Sequence, residues 1–173
     1  MALNALLLCA CQSPSYPPLQ RAAAVDVARY MGDWYVIACI PSFIERHEFQ
    51  AVESYHQDSQ GRIRTVFRYR DGGFDRPLHF LHPIGFVVKG THGTVWGMRF
   101  IWPIRADYRI MYIDSQYTQT VVGREKRDYA WIMARTPTLP DADFQRLSAL
   151  LRAQGYDTSR LRKVPQLPAP EPR

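Results

Sequence analysis

The chain has 173 residues, 46% of them apolar and 22% charged, with a net charge of +6 and a pI near 9.4. That length suits one domain with a sizeable core, and no charge-free apolar run approaches the length of a membrane-spanning helix. So basic a chain invites a nucleic-acid reading, but the basic residues alternate with apolar ones instead of forming a tail or a basic helix, which argues against nucleic acid and suits anionic lipid headgroups.

Met1 to Ala10 carries no charge and has the length and apolarity of a signal-peptide h-region. Cys11 follows directly, behind Leu8-Cys9-Ala10, in a pattern that resembles a bacterial lipobox, whose Cys is lipidated and becomes N-terminal. Cys9 departs from that pattern, and Lys and Arg are absent until Arg21, so the basic region of a signal is missing. Residues 1–10 therefore read as a shortened lipoprotein signal segment. Residues 11–24, with Pro14, Pro17 and Pro18, read as a flexible tether. With Cys11 lipidated and Cys9 removed, Cys39 is the remaining thiol, and stability has to come from the core instead of a disulfide.

Residues 32 to 135 read as strands divided by turns. Trp34–Ile40 is the first, ended by Pro41, and Phe49–His56 the second, with Asp58-Ser59-Gln60-Gly61 as the turn behind it. Arg62–Arg70 alternates: Ile63, Thr65, Phe67 and Tyr69 share one face, and Arg62, Arg64, Arg68 and Arg70 the other. Leu78–Lys89 gives a fourth strand interrupted at Pro83. Thr94–Trp102 gives a fifth, with Trp96, Met98, Phe100 and Trp102 on one face. Asp107–Ile113, Tyr117–Arg124 and Asp128–Ala134 complete eight antiparallel strands on short turns, the pattern of an up-and-down barrel. A helix follows, with Thr138 as its cap, Gly155 as its end, and Phe144, Leu147, Leu150 and Leu151 as a stripe facing the barrel wall. Arg160–Val164 adds a short strand, and residues 166–173 form a Pro-rich tail that reads as disordered.

Gly32 and Trp34 open the first strand, and Arg135 ends the last. A Gly permits close chain approach, and the guanidinium is placed to stack on the indole if the sheet closes. Gly32-Asp33-Trp34, Asp107-Tyr108 before the sixth strand, and Arg135 within Trp131-Ile132-Met133-Ala134-Arg135-Thr136-Pro137 together resemble the signature of the lipocalins, most closely the bacterial outer-membrane lipocalin lipoproteins. The resemblance covers roughly residues 25–165. It implies an all-β, eight-stranded cup with a C-terminal helix on its wall, with Gly32, Trp34, Asp107, Tyr108 and Arg135 as fold-signature residues, of which Gly32, Trp34 and Arg135 close the floor.

The resemblance further implies a non-enzymatic protein that binds, stores or transports a fatty acid or lysophospholipid. Its place would be the bacterial envelope, lipid-anchored to the outer membrane and facing the periplasm; a homodimer is left open. Candidate ligand contacts are the inward positions Val36, Ala38, Ile63, Thr65, Phe67, Tyr69, Trp96, Met98, Phe100, Ile110, Tyr112, Tyr129 and Met133, with Tyr69 and Tyr112 placed to offer hydroxyls to a headgroup. The bacterial pattern commonly has Glu where Val36 stands, which predicts a more apolar interior near the floor. Cys39, on the parity opposite Trp34, is expected to face outward. His79 and His82 would point to opposite faces of a strand and not share a metal. No cofactor is implied. Two other readings stay open: a lipocalin-fold enzyme using Cys39 or Tyr and His groups turned into the cavity, and a structural envelope module with a filled barrel.

Overall fold

The computed structural model describes residues 16–41 and 47–167. The signal segment, Cys11 and the tail from residue 168 lie outside the described residues.

Nine strands build the wall: β1 (Gly32–Ile40), β2 (Glu48–Gln57), β3 (Ile63–Asp71), β4 (Leu78–Leu81), β5 (Ile84–Val87), β6 (Val95–Arg99), β7 (Ala106–Ile113), β8 (Gln119–Gly123) and β9 (Ala130–Ala134). Each pairs antiparallel with its neighbour, and β1 pairs with β9 from Tyr35↔Ala134 to Ile40↔Ala130, which closes the sheet. β4 and β5 are the two halves of the predicted fourth strand, split around Pro83, and both pair with β3. The result is a closed eight-stranded antiparallel barrel, with no open edge between first and last strands.

β3 alternates as expected: Ile63, Thr65 and Phe67 are buried, and the intervening arginines are partly exposed. The predicted fifth strand is shorter than its pattern. β6 stops at Arg99, because Pro103 has no N–H for a ladder and the chain turns, with Ile104 N–H donating to the Ile101 carbonyl. Phe100 is therefore 51% exposed on a turn and does not line the interior.

One short helix escaped the periodicity. α1 (Val27–Tyr30) is one turn, capped by the Asp26 carboxylate accepting from the Ala28 and Arg29 amides, and it carries Tyr30 under the end of the barrel. α2 (Asp141–Ala153) is the expected helix, but Pro140 occupies its cap position and Thr138 makes no cap bond; Asp141 and Asp143 complement its positive end instead. Gly155, at φ +85°, ends it in the left-handed conformation that glycine adopts without strain. Leu147 and Leu151 bury fully against Ile37, Ala38, Ile40, Val121, Ala130 and Ile132.

The segment before α1, grouped above with the tether, is docked from residue 16 onward. Leu19 is buried, the Leu19 amide donates to Glu125, the Ala22 amide donates to the Ile110 carbonyl, and Arg127 donates to the Pro17 carbonyl. At the other end of the domain, β10 (Arg162–Lys163) pairs with Ala38 and Cys39 of β1. Behind it the Gln50 amide donates to the Pro165 carbonyl, and the Gln166 side-chain amide donates to the Val36 and Ala51 carbonyls. This segment fills the seam where the upper halves of β1 and β2 part.

Candidate functional site

The floor is built on Trp34. Its indole N–H donates to the Tyr30 carbonyl at 2.8 Å, and the Arg135 guanidinium lies 3.9 Å above its ring centroid. Arg135 also donates to five carbonyl oxygens, those of Arg29, Tyr30, Met31, Asp33 and Tyr117. Gly32 sits at φ +96°, and a Cβ there would come within 3.2 Å of the Arg135 guanidinium. Glycine is thus required twice, by conformation and by space. Burial draws the Arg135 pKa down, opposed by the nearby Tyr30 hydroxyl and Asp33.

Above Trp34 the aromatic rings of Tyr30, Tyr55, Trp96 and Tyr108 close the barrel bore. Their contacting centroids are 5.1–6.3 Å apart, with Trp96 stacked on Tyr108 at 5.1 Å. Tyr108, one of the signature residues, bridges two hydroxyls, that of Tyr55 at 2.8 Å and that of Tyr30 at 3.1 Å. Burial pushes the Tyr30 phenol up to about 12 and the Tyr108 phenol well above its ordinary value, so both stay neutral hydrogen-bonding groups. Asp107 serves a different purpose. Its carboxylate accepts from Arg109 and from the Glu125 amide, tying β7 to the turn before β9.

Of the thirteen candidate contacts, Val36, Ile63, Phe67, Trp96, Met98, Ile110 and Met133 are buried together in the interior cluster. Thr65 is buried on the same face of β3, and among the described residues its hydroxyl has no hydrogen-bond partner. Tyr69 stands higher on the wall, partly exposed, stacked between Phe67 at 5.0 Å and His79 at 5.4 Å. Tyr129 packs 4.8 Å from Trp131, and its hydroxyl donates to the Asp107 carbonyl.

Three candidates are corrected. Phe100 is on the exposed turn described above. Ala38 faces α2, because β1 carries a bulge between Val36 and Ala38. Tyr112 also faces outward, under the Arg146 guanidinium at 5.2 Å, because β7 carries a bulge between Ile110 and Tyr112. The first bulge also turns Cys39 inward, opposite Trp131, contrary to the expected parity. There its thiol donates to Glu48 at 3.7 Å, and Arg162 pairs with the same carboxylate at 3.0 Å. Burial raises the Glu48 pKa, and Arg162 opposes the rise.

The sequence reading also missed Ala51, Glu53 and Tyr55, which alternate along β2 into the interior, and Val122 and Trp131. Glu53 stands across from Trp34 and Phe67, with one carboxylate oxygen shielded from solvent. The replacement of Glu by Val36 therefore does not leave the floor without a carboxylate; β2 supplies one. Simple alternation within β2 carried that signal.

Comparison with known proteins decides the family. A model described as a lipocalin-like domain matches residues 25–166. The chain belongs to the lipocalin family. Among similar proteins, temperature-induced lipocalin-1 of Arabidopsis thaliana is 30% identical over 152 residues, covering 84% of this chain and 82% of that one. Outer membrane lipoprotein Blc of Escherichia coli K12 is 28% identical over 169 residues, covering 95% and 93%. Among solved structures, insecticyanin from the tobacco hornworm Manduca sexta superimposes with a TM-score of 0.68 at 13% identity, covering 87% of this chain and 85% of that one. Lobster apocrustacyanin A1 gives 0.65 at 14%, covering 86% and 91%. At such identities the structural likeness bears on fold alone, and it is the lipocalin fold: a closed eight-stranded barrel with a helix on its wall.

Proposed function

We propose that this lipocalin binds a small hydrophobic molecule of the fatty-acid or lysophospholipid class within its barrel, from the end opposite Trp34. In this reading it acts by binding and carriage, without catalysis. The observation that carries the proposal is the grading of the interior. A packed aromatic floor gives way to an apolar wall of Phe67, Met98, Leu81 and Trp131, and then to the half-exposed Tyr69 near the lip. An acyl chain is matched by such a wall, and a headgroup by the Tyr69 hydroxyl and the solvent beyond it. The Cys39 thiol is engaged by Glu48 and Arg162 across the β1–β2 seam and fully buried, an arrangement that favours a structural role.

The resemblance to bacterial outer membrane lipoproteins along most of the chain supports an envelope location, with Cys11 as the lipidated residue. Native mass spectrometry of the purified protein should show a retained lipid, and a fluorescent fatty acid should titrate to a saturable site. Tyr69→Glu, on the partly exposed upper wall, should weaken that uptake at least tenfold. Well-folded protein that takes up no fatty acid saturably would sink the binding proposal. An unmodified Cys11 in protein recovered from membranes would sink the anchor.

A further inference from the structure

Ten large apolar side chains are exposed among the described residues, and seven of them, Phe74, Leu78, Phe80, Phe100, Ile101, Trp102 and Ile104, lie at one end of the barrel. That end is fixed by topology. β3 ends there at Asp71, β4 begins at Leu78, β6 ends at Arg99 and β7 begins at Ala106, whereas Gly32, α1 and Arg135 close the other end. The turn between β6 and β7 carries the most exposed of them, with Ile101 73%, Trp102 78% and Ile104 70% exposed. Single exposed apolar residues are ordinary, but a run of them at a loop tip marks a contact surface.

The charges around the tip select the partner. Arg99 and Arg105 flank the turn, their guanidiniums over the outer face of Phe86 at 5.0 and 4.0 Å. Between them the chain carries no acidic residue; behind, on the end of β3 and the following turn, Arg70 and Arg76 stand with Asp71 and Asp75, while Arg68 pairs with Asp33 toward the closed end. An apolar tip within an arginine collar matches the section of a bilayer, where acyl chains lie beneath a layer of phosphates. A second copy docked face to face would bring the same arginines together, which like-charge repulsion opposes.

We infer that the lip formed by residues 99–105 is a lipid-docking surface that inserts Ile101, Trp102 and Ile104 into an anionic bilayer and sets the mouth of the barrel against it. This contact is separate from the anchor at Cys11. If the binding proposal also holds, the ligand passes between bilayer and barrel without crossing water.

The test uses the full chain carrying Cys11→Ser, so that acylation cannot contribute, with vesicles of phosphatidylethanolamine and phosphatidylglycerol. Trp34 and Trp96 are fully buried, which leaves Trp102 as the most exposed indole. Brominated acyl chains should quench the emission of the parent and leave Trp102→Phe much less affected. The triple variant Ile101→Ser, Trp102→Ser, Ile104→Ser should bind the vesicles at least tenfold more weakly, while its fatty-acid uptake from water is unchanged. Arg99→Gln with Arg105→Gln should weaken binding to these vesicles and not to phosphatidylcholine. Equal vesicle binding by parent and triple variant, or no quenching of the parent, overturns the inference. So does a triple variant whose only change is a shift from dimer to monomer. If neither parent nor variant takes up fatty acid, the interior reading fails, and quenching alone judges the lip.

Discussion

Replacing Arg135 with Lys tests the account of the floor most directly. The guanidinium reaches five carbonyl oxygens and stacks 3.9 Å from the Trp34 ring centroid, two tasks that need a planar, forked donor. An ammonium has three donors and no plane, so at least two of the carbonyls lose their partner and the stack is lost. Charge-assisted bonds contribute about 1.5 kcal/mol or more each, but part of this cluster faces water. Half of that for two bonds, with about 1 kcal/mol for the stack, puts the loss at roughly 2–3 kcal/mol. For a domain of this size that is a fall in Tm of about 4–12 °C. Urea unfolding followed by tryptophan emission reads it, with the m-value unchanged because the barrel stays closed. A double-mutant cycle with Trp34→Phe, which keeps the ring face and drops the indole donor, should show coupling above about 0.5 kcal/mol. A loss below about 1 kcal/mol, or strict additivity with Trp34→Phe, would refute the idea that Arg135 holds α1 against the barrel.

At Gly123 an added Cβ would collide with the Tyr156 hydroxyl and lie 2.7 Å from the Met111 sulfur, so Gly123→Ala should cost about 2–3 kcal/mol in urea unfolding. Adding Tyr156→Phe should recover part of that loss, although the hydroxyl's bonds to the Arg124 backbone go with it. The buried phenols predict an alkaline limit. Burial holds Tyr30 and Tyr156 at about 12 and pushes Tyr108 well above its ordinary value too, so their contribution is complete below pH 10 and declines as the unfolded chain ionises above it. Each should give a slope of about 1.4 kcal/mol per pH unit, and Tyr30→Phe should make stability measured from about pH 9 to 11 less steep. Arg162→Ala leaves the Glu48 carboxylate buried without its cation and should cost about 3 kcal/mol at neutral pH. Because the folded pKa of Glu48 is raised, its contribution falls as pH rises through the range just above 4.5, and Glu48→Gln should flatten stability there.

Most of the barrel was legible because β3 alternates apolar with charged residues, β8 and β9 are short apolar runs, and the turns carry Gly, Asp or Pro. The floor was legible too, since Gly32, Trp34 and Arg135 each have a chemical reason to sit where they do. α1 was not, because a four-residue helix has no periodicity to detect and only Asp26 marks its start. The lip was misread for a related reason. Trp96, Met98, Phe100 and Trp102 continue a perfect period of two, and only Pro103 signals that the ladder has ended before the last two.

The bulges in β1 and β7 are the deeper failure, and they share a cause. Each puts two successive residues on the outer face, Ile37 with Ala38 and Met111 with Tyr112, and both pairs pack in the layer beneath α2. A regular strand can give the helix only every second residue; a bulge gives it two in a row while the interior keeps Val36 and Cys39, or Ile110 and Ile113. No Gly or Pro marks the extra residue, so counting parity from Trp34 or Tyr108 fails one residue later. The composition still records it. Val36 to Ile40 is apolar without interruption, and all five residues are buried. A continuous apolar run is what a strand covered on both faces requires, so it announces the helix on one side and the barrel interior on the other, even though it cannot say which residue faces which.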